Sequence, residues 1–274
     1  MRRVAPGRLA HALGLLLVIL FALFPFYWMV SSSLKDQTQL LASPPVWVFA
    51  PTLANYQDIF ADSHVTTAVL NSLIVATTTT LLAVLLGTPA AFALARYEFR
   101  GKADLWFWFI SNRFISPIVL ALPVYLLAQQ AGLLNTRLVL ILIDLTFNLP
   151  IVIWICTDQF RSIPPDIEQS ARLEGADQFN IFWRIYLPLG IPGVAVSAIF
   201  AFIFSWNELM YALVLITSQG LKTAPVVATN FMSGYELPWG KIMATGTVIV
   251  LPVTIFALLV SRHMVRGLTM GATK

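Results

Sequence analysis

Long apolar runs separated by short polar segments organise the chain. A helix needs about 20 predominantly apolar residues to cross the hydrocarbon core of a bilayer. Backbone groups in lipid must also find their hydrogen bonds within the protein, which favours helices. The pattern therefore predicts an all-α integral membrane protein with six transmembrane helices, at residues 9–33, 65–95, 105–128, 138–157, 187–218 and 242–261.

The composition supports this class. The chain is 58% hydrophobic and 11% charged, whereas a soluble domain carries about 25% charged residues. Its basic residues stand in short clusters between the apolar runs, which is typical of membrane topology and not of a nucleic-acid groove. The single cysteine, Cys156, excludes an intramolecular disulfide and a metal site built from several cysteines.

The distribution of positive charge predicts the orientation. If the N-terminus is cytoplasmic, twelve of the 17 basic residues face the cytoplasm, four lie outside and Arg113 lies within a span. An excess of Lys and Arg marks cytoplasmic loops. Both termini and the polar segment 161–187, between spans four and five, are therefore predicted to be cytoplasmic.

The first half of segment 161–187 has the signals of a short helix. Pro165 suits the first helical position, and Asp166 and Glu168 follow where negative charge favours the helix dipole. Glu168 and Arg172 are spaced i,i+4 in the favourable order. Gly175 suits the end of the helix.

The second half predicts another helix. Asp177 can cap a helix that runs from Gln178 to Leu187, before Pro188 redirects the chain into the fifth span. Composition alone favours a surface helix at the level of the lipid headgroups. The segment also carries an aromatic stripe at near-helical spacing, which comprises Phe179, Phe182, Trp183 and Tyr186.

The same segment resembles a known motif. EQSARLEGADQFNIFWRIYLP is similar to the EAA loop of ABC-importer permeases, although Gln169 and Ser170 depart from its usual second and third residues. The matching positions are Glu168, Ala171, Gly175, Ile185, Leu187 and Pro188. NRFISPIVLALPVYLL, TFNLPIVIWIC, IFSWNELMYAL and VRGLTMGATK also resemble carbohydrate-importer permeases of the maltose-type class, so the resemblance covers nearly the whole chain.

The resemblance implies one ABC-importer transmembrane domain over residues 1–274, in a bacterial cytoplasmic membrane. Segment 161–187 would be a coupling helix pair that docks on an ATPase. The implied coupling residues are Glu168, Ala171, Arg172, Gly175, Ala176, Phe179 and Pro188. The C-terminal tail would also contact the ATPase, through Arg266, Gly267 and Gly271.

The resemblance also implies partners. They are a cytoplasmic ATPase dimer, a second related permease, and an extracytoplasmic sugar-binding protein or lipoprotein that delivers a sugar. ATP and Mg would bind to the ATPase, so no cofactor or metal is expected on this chain, and no nucleic-acid partner. The expected mechanism is alternating access, in which this chain forms half of the pathway and catalyses no reaction itself.

Polar residues within the predicted spans are candidates for the pathway. Ionisable side chains in lipid are costly unless they are paired or face water. The candidates are Arg113, Asp144, Asn148, Asn207 and Glu208. At about 1.5 Å per residue, Arg113 and Glu208 are expected at depths too different for a simple ion pair, and Arg113 with Asp144 would need a tilt or kink.

Other interpretations stay open at this point. The polar residues could equally hold helices together or contact a partner subunit, as is common in bundles. A stand-alone secondary transporter or channel would need a coupling-ion site and usually shows inverted repeats, and the sequence displays neither. An enzyme is disfavoured because the sequence has no GxxxxGK[ST], HExxH or GxSxG motif. The sequence does not name the sugar.

Overall fold

A computed structural model of the chain describes residues 6–61, 63–231 and 237–270. Over these residues it is built from helices and has no strand. In chain order the α-helices are α1 (Pro6–Ser33), α2 (Gln37–Leu40), α3 (Ala54–Ala61), α4 (Ser63–Arg96), α5 (Lys102–Ser111), α6 (Pro117–Gln130), α7 (Arg137–Arg161), α8 (Pro165–Leu173), α9 (Gln178–Ile181), α10 (Leu187–Trp206), α11 (Met210–Leu215), α12 (Ala224–Asn230) and α13 (Trp239–Met270). A π-helical turn, Phe182–Tyr186, joins α9 to α10, and a 3₁₀ turn, Gln219–Leu221, precedes α12.

Five helical segments among the described residues are long and apolar enough to cross a membrane. They are His11–Ser33, His64–Arg96, Arg137–Arg161, Gln178–Trp206 and Trp239–Leu259. These segments overlap the predicted spans one, two, four, five and six. The prediction of an all-helical membrane protein is therefore confirmed.

The predicted third span, 105–128, is not one continuous helix. It falls on α5, which has 10 residues, and α6, which has 14 residues. The break follows from Pro117, because a residue that precedes proline avoids the helical region. Ser116 is extended accordingly, with φ −65° and ψ 132°, and Pro117 begins α6.

The predicted fifth span, 187–218, also ends early. The helix stops at Trp206, and the chain turns before α11 begins at Met210. The Glu208 carboxylate holds this turn, since it accepts hydrogen bonds from the backbone N–H groups of Tyr211 at 2.7 Å and Ala212 at 2.9 Å. A carboxylate that satisfies free N–H groups favours a helix start at this point.

The chain divides into two compact units. The first holds the described residues of 1–65 and 228–250. Within it, the Asn55 amide donates hydrogen bonds to the carbonyls of Ser33 at 2.9 Å and Lys35 at 2.8 Å, just past the end of α1. Gly240 lies so close to Asn55 that a Cβ atom would overlap the amide. Asn55 thus ties the end of α1 to the start of α13.

The second unit holds the described residues of 66–227 and 251–274, and it contains two buried apolar clusters. In one cluster the Tyr186 ring lies 4.8 Å from the Phe92 ring and 5.9 Å from the Phe160 ring, measured between centroids. The other cluster includes Leu140 of α7 and Tyr211 of α11. Because α7 contributes to both clusters, it connects the two ends of the unit.

Close contact between α7 and α10 depends on two glycines. A Cβ atom at Gly190 would overlap the Phe160 ring, and one at Gly193 would overlap the side chain of Gln159. Small residues let helix backbones approach in membrane proteins. The two helices are thereby packed side by side over a glycine seam.

We expect Gly190→Ala to destabilise the protein. Phe160 is fully buried, so its ring cannot move aside cheaply, and overpacking a dense core costs about 1–3 kcal/mol of the free energy of unfolding. Thermal unfolding in detergent measures the effect. Gly14→Ala in α1 is the matched control, because nothing lies within 4 Å of a Cβ atom there. Equal stability of the two variants would contradict the claim that the close packing of α7 and α10 depends on this glycine.

Candidate functional site

The polar segment after α7 folds as a helix that ends in a glycine turn. α8 ends at Leu173, and Gly175 adopts a left-handed conformation with φ 86°. The Gly175 N–H donates to the Arg172 carbonyl at 3.0 Å, and the Ala176 N–H donates to the Ala171 carbonyl at 2.9 Å. These two bonds form a Schellman motif, which satisfies carbonyls that the helix end would leave free.

The second helix of the segment continues into the membrane. The Asp177 carboxylate accepts from the Asn180 N–H at 2.8 Å and so caps α9, as the sequence predicts. The predicted end of this helix at Leu187 is wrong, because α9, the π-turn and α10 run on as one helical segment. Pro188 is tolerated because the π-turn before it, closed by the Leu187 N–H and the Phe182 carbonyl, already departs from the α-helical ladder.

Glu168 of α8 is the centre of a buried hydrogen-bond network. One carboxylate oxygen, Oε2, accepts from Arg96 Nε at 2.7 Å and from the Tyr186 hydroxyl at 2.8 Å. The other, Oε1, accepts from Arg172 Nη2 at 2.8 Å and Nε at 3.1 Å. The network joins three elements, namely helix α8, the π-turn and the C-terminal end of α4.

This network also sets the charge of Glu168. Burial raises the pKa of its carboxyl group, but the hydrogen bonds from Arg172, Tyr186 and Arg96 outweigh that effect. The pKa therefore lies below its ordinary value of 4.5, and Glu168 is ionised at neutral pH. Hydrogen bonds to the ionised form cause shifts of this sign.

The two faces of the segment differ. Glu168, Ala171 and Ala176 face inward, and the two alanines pack on the cluster around Tyr186. Leu173 is 91% exposed and Phe179 is 69% exposed, on either side of the glycine turn. Gly175, Arg172 and Pro188 are also exposed. We call Leu173, Gly175 and Phe179 the apolar tip of the segment.

A cavity of about 190 Å³ lies between α6, α7, α10 and α11. Four of the five polar candidates from the sequence line it, although two of them had been expected at different depths. The lining comprises Arg113, Ile115, Pro117, Asp144, Phe147, Asn148, Phe204, Glu208 and Tyr211. Arg113 lies in the break between α5 and α6 and Glu208 lies in the turn after α10, and in the described chain no ion pair joins the two, as the sequence predicts.

The polar side chains of the cavity are held in different ways. The Ser205 hydroxyl donates to the Asp144 carboxylate, and Glu208 is bound by the start of α11. The Arg113 guanidinium lies 4.5 Å from the centroid of the Phe204 ring. Arg113 forms no ion pair with an acidic residue in the described part of the chain.

The remaining candidates lie elsewhere. Asn207 is exposed, and its amide donates to the Ile203 carbonyl at 2.8 Å, so it is not part of the cavity. Arg266 and Gly267 belong to the last turns of α13. Gly271 lies outside the described residues. Among the described residues, no three His, Cys, Asp or Glu side chains lie where they could hold a metal ion together.

The sequence did not single out several residues of the site. Phe204 and Ser205 lie four and three residues before Glu208, so helical spacing alone could have placed them beside it. Tyr186 was noted only as part of an aromatic stripe. No local pattern pairs it with Glu168 or Arg96, because these contacts form through the tertiary structure.

Comparison with known proteins identifies the family. The family of binding-protein-dependent transport system inner membrane components matches residues 83–270. The trehalose transport system permease protein SugB of Mycobacterium tuberculosis is 38% identical over 260 residues, which cover 94% of each chain. The trehalose/maltose transport system permease protein MalG of Thermococcus litoralis is 32% identical over 277 residues, covering 100% of this chain and 99% of the relative.

A solved structure shares the fold. It is a bacterial ABC transporter involved in the import of the acidic polysaccharide alginate, with a TM-score of 0.75 at 21% identity, over 96% of this chain and 99% of that one. This chain therefore belongs to the family of binding-protein-dependent transport system inner membrane components. It is a multi-pass permease subunit of the cytoplasmic membrane, a class of subunit that transports and does not catalyse.

We expect Glu168→Gln to loosen the network, with a loss of about 2 kcal/mol in the free energy of unfolding at neutral pH, because hydrogen bonds to charged groups are lost. Arg172 is half exposed and contributes little to this loss. The lowered pKa means that the stabilisation is complete above the unfolded value near 4.5 and disappears as the pH falls through the lower folded value. The difference in the free energy of unfolding between the unmodified protein and Glu168→Gln should therefore stay constant from about pH 8 to 5 and shrink in more acid solution.

Thermal unfolding across this pH range measures the difference. Glu174→Gln is the control, since Glu174 is exposed at the end of α8. A Glu168→Gln variant that is as stable as the unmodified protein at neutral pH would contradict the network.

Proposed function

We propose that this chain is the permease subunit of an ATP-driven sugar importer. Support comes from the two relatives, whose names specify trehalose in one case and trehalose and maltose in the other. The transporter that shares the fold imports alginate, a polysaccharide. A saccharide is the substrate class that these proteins have in common.

Hydrolysis of ATP takes place on a separate chain in this proposal. The sequence contains no GxxxxGK[ST] loop, so a cytoplasmic ATPase dimer binds ATP and Mg. A second, related permease supplies the other half of the pathway. A binding protein delivers the sugar from outside, consistent with the binding-protein-dependent family.

The proposed topology has six crossings with both termini in the cytoplasm. α5, the break and α6 together make the third crossing as an interrupted span. Irregular backbone at membrane depth is tolerated where it is buried in protein or lines a cavity, and Arg113 and Ile115 of this break line the cavity. The excess of basic residues in the predicted inner segments supports the orientation.

The observation that carries the proposal is the anchored loop. The apolar tip is exposed, whereas the inner face of the same segment is held by Glu168 to α4 and to the π-turn that leads into α10. A partner bound to the tip can therefore move α10 as well as α8. We propose that the ATPase docks on the tip and that its closure rocks the spans between inward-open and outward-open states.

The same proposal assigns the cavity to the translocation pathway. Arg113, Asp144, Asn148 and Glu208 line it, and α7 and α10 run from the cavity to the coupling segment. Motion at the loop can thus reach the cavity through two continuous helices.

We expect Leu173→Asp to release the ATPase, because the exposed leucine would bury its apolar surface against the partner and a charge there would lose that burial. The test is purification from native membranes in mild detergent, with mass spectrometry of the proteins retained. The unmodified chain should bring along an ATPase, a second permease and a binding protein.

Leu41→Asp is the matched control, because Leu41 is a 64% exposed leucine in a segment predicted to lie outside the cell. This variant should retain the ATPase. An unmodified chain that purifies alone and moves solute in liposomes would overturn the importer in favour of a stand-alone transporter.

A second prediction concerns Gly175. Its φ of 86° disfavours most side chains, whereas asparagine tolerates this conformation, and the space around it is open within the chain. If the ATPase packs closely against the turn, Gly175→Asn should lower sugar uptake per ATP hydrolysed even though the turn can still form.

Gly101→Asn is a close control, because Gly101 has φ 85° and equally open surroundings but lies outside segment 161–187. The Gly101→Asn variant should couple sugar uptake to ATP hydrolysis normally. Normal coupling in Gly175→Asn, together with loss in Gly175→Val, would show that only the turn conformation matters and would contradict close docking at the turn.

A further inference from the structure

Two further cavities follow one another along α5. The first, of about 420 Å³, lies where α4 ends and α5 begins, and we call it the polar cavity. The second, of about 230 Å³, lies further along the helix between α5 and α7, and we call it the aromatic cavity. Trp106 lines both, so the two spaces adjoin at its indole ring.

The polar cavity presents two cations whose N–H donors are incompletely used. Lys102 Nζ donates to the Glu98 carboxylate at 2.7 Å and to a backbone carbonyl at 2.9 Å, which leaves one of its three donors. The Arg161 guanidinium lies 5.4 Å from the centroid of the Trp106 ring. In the described chain its closest acidic oxygen belongs to Asp158 at 3.9 Å, which is beyond hydrogen-bonding distance. The cavity can therefore donate hydrogen bonds to a phosphate.

The same cavity also carries two carboxylates. Glu98 lies in the loop before α5 and Asp104 in the first turn of α5, and both are exposed. Together with Lys102 and Arg161 they bring the formal charge of the lining to zero. A simple anion would meet two repelling carboxylates as well as two cations. A headgroup that carries both a phosphate and an ammonium can pair with both sets.

The aromatic cavity continues from this polar end with an apolar lining. Beyond Trp106 it is lined by Phe109, Arg113, Phe114, Pro150, Ile151 and Trp154. Arg113 is the one charged residue of this lining, and its guanidinium lies against the Phe204 ring. Seven residues separate Lys102 from Phe109, a rise of about 10 Å along the helix. A charged space followed by an apolar one matches the order of headgroup and hydrocarbon chain in a phospholipid.

The surface around the cavities has the composition of a membrane boundary. Phe107 and Trp108 of α5 are 73% and 61% exposed, close to the basic residues of the polar cavity. Tryptophan is enriched at the level of the lipid headgroups, and long basic side chains reach the headgroups from helix ends. Pockets with basic residues between membrane helices on the cytoplasmic side are known to bind lipid headgroups.

We propose that the ends of α4 and α7 and the start of α5 hold one phospholipid of the cytoplasmic leaflet, with a phosphate and a primary ammonium in its headgroup. Lys102 and Arg161 bind the phosphate, Glu98 and Asp104 bind the ammonium, and one acyl chain lies in the aromatic cavity. Arg161 is the last residue of α7, so this lipid touches the start of segment 161–187. The inference rests on the membrane location of the chain and on its proposed orientation, and it does not depend on which solute is transported.

Native mass spectrometry tests the proposal on the full chain, together with the proteins that it retains from native membranes in mild detergent. The delipidated sample is titrated with dioleoylphosphatidylethanolamine, dioleoylphosphatidylcholine or dioleoylphosphatidylglycerol, which have identical acyl chains. The ethanolamine lipid should bind about three- to tenfold more tightly than either of the others, the gain expected for one hydrogen bond to a charged group that is partly exposed. The choline headgroup has no N–H donor, and the glycerol headgroup has no cation.

Arg161→Gln should weaken binding of the ethanolamine lipid about three- to tenfold, because it removes a phosphate partner. Arg100→Gln is the matched control, since Arg100 is an exposed arginine of the same loop that does not line the polar cavity. It should keep the original affinity. Asp104→Asn should reduce the preference for the ethanolamine lipid over the glycerol lipid, because it removes an ammonium partner and a negative charge.

Trp106→Leu should weaken all three lipids by a similar factor, since Trp106 lines both cavities. Trp108→Leu is its control, because Trp108 is exposed on α5 and belongs to neither lining. This control should leave lipid binding unchanged.

Three results would overturn the lipid site. Equal affinity for the three lipids, or tighter binding of the glycerol lipid, would exclude a headgroup site of both charges. Equal losses in Arg161→Gln and Arg100→Gln would show a general attraction to basic residues. Loss of a second permease from the Trp106→Leu sample, with no lipid bound to the unmodified protein, would show that protein covers this face. None of these results bears on whether an ATPase drives the import of a sugar.

Discussion

The buried carboxylate of Glu168 is the constraint on which the packing of α8 against the rest of the second unit depends. A lone ionised group in this position would be costly, and it is tolerated because two arginines and a tyrosine donate to it. The donors come from α4, from α8 itself and from the turn that opens α10. A mostly polar surface helix is thereby joined to two membrane-length helices through one side chain. The exposed Leu173 and Phe179, on either side of Gly175, are thereby connected to both of these helices.

The sequence predicted much of this architecture, and its failures concern the points at which the backbone leaves a helix. The long apolar helices, the glycine turn at Gly175 and the cap at Asp177 follow from local signals, and the structure has all of them. The turn at Glu208 was missed because an apolar run gives no sign of where its backbone leaves the helix, whereas Pro117 does signal the break that the prediction of one continuous span left out. The depths expected for Arg113 and Glu208 also assumed straight spans, whereas both residues lie where the backbone leaves the helix.

The sequence singled out most of the polar residues that line the cavity, but it did not predict that they surround one space. Polarity in lipid singled out Arg113, Asp144, Asn148 and Glu208, and these four line one space. Asn207, chosen by the same criterion, turns its amide to its own helix. Only tertiary structure separates these cases, since neighbouring positions at a helix end point in different directions. The partners that hold Asp144 and Arg113 come from residues that are unremarkable in sequence, such as Ser205 and Phe204.

The π-turn at Phe182–Tyr186 has a consequence for the angular phase of α10. A π-turn accommodates one residue more than an α-helical turn does, and each α-helical residue advances the side-chain direction by about 100°. Every residue of α10 is therefore set at a rotation that this additional residue defines relative to α9. Deleting a single residue from the turn would rotate Phe204 and Ser205 away from the cavity while leaving the helix intact. The π-turn thus sets the direction in which the side chains of α10 point relative to segment 161–187.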